Sequence, residues 1–218
     1  MLAHDLMRVR SLVLASAFAV SLLFARMLWT QTFLFAFLLW NLFLAWMPVL
    51  IAWPERREIA TRDRLPRSFW VRAFAWLLFF PNAPYLVTDF AHLGSHRVPR
   101  QVDVAMLASF AWAGLLAGCL SLHWIHGRIR THHGLWPGRL FVLAACGLAG
   151  FGIALGRQLR FNSWDIVTDP LPLLRAIAGL FLQPRLHFES WSVAVLFGAL
   201  LWVVYLGVAQ PKSLARSS

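Results

Sequence analysis

The chain has 218 residues, of which 60% are hydrophobic and only 13% charged, whereas about a quarter of a soluble domain is charged. With a mean hydropathy of +0.65, it reads as one polytopic integral membrane domain over residues 1–218 and excludes an ordinary soluble domain. The net charge of +11 does not point to nucleic acid, because the arginines are scattered through short connections with no compact basic face; topology and the anionic headgroups of membrane lipids account for them.

A membrane span needs about twenty mostly apolar residues. The first run, Ser11–Trp29, follows Arg8 and Arg10 as a signal sequence would. It continues too far and offers only a weak small-x-small site at Ala17 and Ala19, so a retained first helix is expected. Phe33–Trp53 forms the second span, in which Asn41 and Pro48 read as helix glue and a kink. The third starts at Ser68 and reaches Phe80, where "FFPNAPYLVTDFAHL" (Phe79–Leu93) begins. Pro81 and Pro84 remove backbone donors there, so this helix is predicted to break rather than span uniformly. Broken backbone at membrane depth persists only where protein or a wet cavity covers it.

Val104–Ile125, Gly138–Gly156 and Ser190–Ala209 complete an all-α bundle of about six transmembrane helices. Gly114 and Gly118 in the fourth span, with Gly152 and Gly156 in the fifth, are expected to let those two helices approach closely. Between the last two spans, "TDPLPLLRAIAGLFLQP" opens with Asp169 before Pro170 and predicts an interfacial helix near 170–183, placed to roof a site. Cys119 and Cys146 lie inside apolar runs without metal-like spacing and read as inert buried thiols.

Orientation follows from the basic residues in the connections. One side holds Arg8, Arg10, Arg56, Arg57, Arg62, Arg64, Arg67, Arg128, Arg130, Arg139, Lys212 and Arg216; the other holds Arg97, Arg100, Arg157, Arg160, Arg175 and Arg185. Twelve against six places both termini in the cytoplasm. Arg26 and Arg72, near span ends, are expected to snorkel.

With that topology, "GRQLRFNSWD" (Gly156–Asp165) emerges on the same side as "PNAPYLVTD". Asp89 and Asp165 then share a region with Arg157 and Arg160, and an ion near hydrocarbon needs a partner, so at least one Asp–Arg contact across the two clusters is expected. Asn82, Tyr85, Thr88, Asn162 and Ser163 supply donors and acceptors for a broken helix or a bound group. Asp89, His92 and His96 would share a face of a continuous helix, and with a further ligand such as Asp165 or His187 would make a metal site; no HExxH signature occurs and Gly94 interrupts the run, so no metal is assigned. "GFGIALG" (Gly150–Gly156) lacks the strand a dinucleotide loop requires.

These two motifs, with the length and span order, resemble the bacterial membrane family catalogued as domain of unknown function 1361. The resemblance implies a small polytopic membrane protein and brings no activity, cofactor or catalytic residue with it. Three readings stay open. The outer-face site binds or acts on a lipid-linked or anionic group, with Arg157 and Arg160 holding the anion and Asp89, His92 or Asp165 moving protons. Alternatively it is a scaffold or partner-binding surface in which acids and arginines lock helices together. A small-solute transporter comes third, for want of polar groups through the middle of the spans and of an internal repeat.

Overall fold

A computed structural model of the chain describes residues 2–57, 65–93, 98–159, 161 and 165–208. In chain order the helices are α1 (Leu2–Thr30), α2 (Phe37–Ala52) with a 3-10 turn at Trp53–Arg57, α3 (Arg67–Phe79), α4 (Asn82–Tyr85) and a 3-10 segment at Leu86–His92. They continue as α5 (Arg100–His133), α6 (Leu135–Gln158), α7 (Asp165–Thr168), α8 (Pro170–Leu182) and α9 (Phe188–Val208). Among the described residues, five helices (α1, α2 with its 3-10 turn, α5, α6 and α9) are long and apolar enough to cross a membrane. The broken segment α3–α4–Leu86–His92 runs back alongside α2, with Arg72 bonded to Glu55 after the C-terminal end of α2 and Asp89 to Asn41 near its start. This is a multi-pass helical membrane bundle, and the short apolar α8 lies where an interfacial helix was expected.

The bundle is organised around α5, which packs against α1, α2, α4, the 3-10 segment Leu86–His92, α6 and α9. Many of its inward residues are small, among them Ala113, Gly114, Ala117 and Gly118. Apolar side chains gain nothing by leaving lipid for protein, so close packing through small residues holds such helices together. The glycines work differently from the expectation, however. A Cβ on Gly114 would collide with the Ala83 carbonyl of α4, and one on Gly152 would come within 2.6 Å of Pro81. Both therefore make room for the broken third segment rather than for each other. The backbone contact of α6 is instead with α9, where Gly150 faces the Ala194 carbonyl and Gly198 faces that of Cys146.

Buried ions pin both ends of the bundle. Arg26 does not snorkel: it is 1% exposed and its Nε meets Asp103 Oδ1 at 2.6 Å, tying α1 to α5. At the opposite end Glu55 accepts from Arg72 of α3 and from Arg128 of α5. A buried ion demands such a partner because desolvation costs several kcal/mol. Cys119 and Cys146 are both buried and free.

Candidate functional site

The break in the third segment is a matter of missing donors. Pro81 has no N–H for Leu77 and Pro84 has none for Phe80. The Ala83 N–H turns to the Phe80 carbonyl at 3.2 Å, which leaves Phe79 without its α-helical donor. Asn82 replaces it, folding its Nδ2 back onto the Phe79 carbonyl at 3.0 Å. After the single turn of α4 the chain winds as a 3-10 helix from Leu86 to His92. Residues three apart eclipse one another in that geometry, so Asp89 and His92 stand in one row.

Asp89 is 1% exposed, and its carboxylate accepts from Asn41 Nδ2 of α2 at 3.1 Å. His92 sits further out, at the mouth, edge-on to the Phe37 ring at 5.0 Å. From the last turn of α6, Arg157 Nη1 reaches His92 Nε2 at 3.5 Å. Because a guanidinium only donates, this contact needs the lone pair on Nε2 and puts the ring proton on Nδ1. Among the described residues the contact that joins the two clusters is this one, between Arg157 and His92; an Asp–Arg contact through Arg160 falls outside them. Asp89 lies deep enough to be answered by α2, and the half-buried Arg157 meets the imidazole instead. Arg160, Asn162, Ser163 and His96 lie outside the described residues.

Between the two motifs is a cavity of about 480 Å³, within the range of about 300–1,000 Å³ usual for small-molecule sites. Its polar lining residues are Asn41, Asn82, Tyr85, Asp89 and His92, and Leu77, Leu148, Phe151, Leu155, Leu173 and Ile177 are among the apolar ones. Leu173 and Ile177 bring α8, the helix expected to roof a site, to the cavity wall. Gly156 leaves space for the Tyr85 ring, which a Cβ there would approach to 3.2 Å. Of the other sequence candidates, Thr88 is buried and donates to the Tyr85 carbonyl at 2.7 Å, so its hydroxyl serves the backbone. Asp165 opens α7, half-buried; neither it, nor Thr88, nor Arg157 is among the described residues of the cavity wall, and Arg157 stands next to that wall through its contact with His92. Among the described residues no three His, Cys, Asp or Glu side chains converge as metal ligands would.

Sequence reasoning missed α2 as a wall of the site. Asn41, expected to act as helix glue, lines the cavity with Phe37 and Trp40 of the same helix and donates to Asp89. The available signal was its isolation: a lone amide in an apolar span needs a polar partner, and Asp89 is a carboxylate expected near the same end of the bundle.

A family model described as "Protein of unknown function (DUF1361)" matches residues 40–204, a stretch that includes both motifs. The competence protein ComA of Neisseria gonorrhoeae is 35% identical over 114 residues, which are 52% of this chain and 14% of that protein. The chain thus spans a small part of the length of that curated relative. No solved structure matches.

Proposed function

As the chain belongs to the DUF1361 family, whose description carries no activity, we propose from the geometry of the site that it binds an amphiphilic, lipid-linked molecule in the cavity between the two motifs. The observation that carries this reading is the mixed wall: apolar residues of α3, α6 and α8 line it together with the polar residues Asn41, Tyr85, Asp89 and His92, of which Asn41 and Asp89 are bonded to each other. An apolar tail fits the apolar residues and a polar head the polar ones, the usual pattern of a site that fixes orientation with few polar groups. Arg157, beside His92 at the mouth, is the group suited to an anionic part of the ligand. The positive-inside count puts this end of the bundle on the non-cytoplasmic face of a bacterial inner membrane.

A helix clamp alone would close its charged pairs over each other and leave no void, so the cavity favours binding over a purely structural role. Transport is disfavoured by the inner wall, where Leu44, Leu77 and Leu148 offer no polar path across the bundle.

The test is lipid mass spectrometry on protein purified from native membranes. Wild type is expected to carry an enriched amphiphile that Leu155→Trp, which narrows the cavity, loses, and Arg157→Gln is expected to deplete the anionic fraction of it. Identical lipid profiles for wild type and Leu155→Trp would sink the proposal.

A further inference from the structure

Resting on the amphiphile-binding reading above, we infer that the head group taken by this cavity is polyhydroxylated, a sugar-like group whose hydroxyls donate hydrogen bonds to Asp89 and Asn41. The argument starts from the direction of one hydrogen bond. The oxygens of Asp89 are acceptors, so the Asn41 amide must face them with its nitrogen, as it does at 3.1 Å. That leaves the Asn41 oxygen, an acceptor, without a hydrogen bond among the described residues, on a side chain that lines the cavity. Asp89 itself keeps capacity beyond the single bond it takes from Asn41, since a carboxylate accepts about four. Tyr85 lines the same cavity, and its hydroxyl can both donate and accept.

A corner rich in acceptors selects a ligand rich in donors, because a buried acceptor left unmatched costs its desolvation. Two kinds of head group bring donors: hydroxyls and ammonium. The charge at the mouth decides between them. Arg157 stands 3.5 Å from His92, so a cation entering past His92 is repelled by the guanidinium, whereas a neutral hydroxylated ring is not. A head group made only of anionic oxygens is excluded from the deep corner for the opposite reason: it presents acceptors to Asp89 and to the Asn41 oxygen. An anionic linkage stays at the mouth with Arg157 while the hydroxyls go inward.

Native mass spectrometry of the whole chain in nanodiscs tests this with three amphiphiles of matched tail: dodecyl maltoside, dodecyl phosphate and dodecyl trimethylammonium. Wild type is expected to retain the maltoside about tenfold or more over the ammonium, a modest share of the discrimination that hydrogen-bonding sites achieve. Asp89→Leu is expected to abolish that preference. Tyr85→Phe, which keeps the Asn41–Asp89 pair intact, is expected to weaken maltoside retention severalfold and leave the ammonium unchanged. If Asp89→Leu does not fold, the wild-type ranking and Tyr85→Phe still decide. Preference for the phosphate or the ammonium, or a maltoside preference that neither variant alters, overturns the head-group assignment and leaves amphiphile binding standing. If no probe is retained by wild type above the level of Leu155→Trp, both readings fall.

Discussion

Arg26 and Asp103 meet at 2.6 Å with side chains 0% and 1% exposed, joining the end of α1 to the start of α5. The same guanidinium lies over the Phe35 ring at 4.3 Å, so α1, the α1–α2 connection and α5 share one anchor. Asp103→Ala removes the carboxylate that answers a fully buried cation, and the expected loss is about 3–5 kcal/mol, read as a lowered melting temperature in detergent. Replacing both partners at once, Arg26→Met with Asp103→Leu, is expected to recover most of it, because apolar groups of similar volume often substitute for a buried pair at little cost. A single Asp103→Ala variant that melts with wild type would show that the pair does not hold α1.

Glu55 ranks differently from its two partners. Its side chain is 0% exposed and it pairs with Arg72, which is 34% exposed, and with Arg128, which is 7% exposed. Glu55→Ala strands a buried guanidinium and is expected to cost about 3–5 kcal/mol. Arg72→Ala, on the solvent-screened arm, is expected to cost about 1 kcal/mol or less. Thermal melts that reverse this order would contradict the burial argument.

Two glycines of α5 make a matched comparison. A methyl at Gly114 would overlap the Ala83 carbonyl and crowd Leu86, while a methyl at Gly127 meets nothing within 4 Å. Gly127→Ala is therefore expected to stabilise by about 0.5–1 kcal/mol through helix entropy. Gly114→Ala is expected to destabilise by about 1–3 kcal/mol and to displace the segment that carries Asp89. Equal effects of the two changes on melting would rule out close packing of α4 on α5.

Asn41 is the donor that Asp89 accepts from across α2. Asn41→Leu keeps the size of the side chain but leaves a buried carboxylate short of a hydrogen bond, at an expected cost of about 1–3 kcal/mol. Adding Asp89→Leu should return most of that stability. If the double variant is no better than the single, the two residues do not act on each other.

Orientation is tested by labelling a cysteine introduced at Ser95 in intact cells with a membrane-impermeant reagent. Modification from outside is expected from the positive-inside count; modification only from the cytoplasmic side reverses the assignment and moves the site to the other leaflet.

Much of the architecture was legible in the sequence because its causes are local. Apolar runs long enough to span, the two prolines at 81 and 84, and Asp169 before Pro170 each act within a few residues, and α1, α2, the break after α3, α5, α6, α8 and α9 fall where those rules put them. The proximity of the two motifs was also readable, since counting spans places both at one end. The partners were not. Arg26 looked like a snorkelling end residue and is buried on Asp103, 77 positions away; Asn41 looked like generic glue and serves Asp89, 48 positions away.

What the sequence determined by itself is therefore which stretches form long apolar helices, where one helix breaks, and which polar residues lie toward one end of the bundle, since hydropathy and missing backbone donors are properties of short stretches. Only the tertiary structure decided which helices are neighbours and how each is turned about its axis. In an apolar chain most helix faces are equally acceptable to lipid, so that choice rests on a few glycines and buried charges whose complements lie far along the chain.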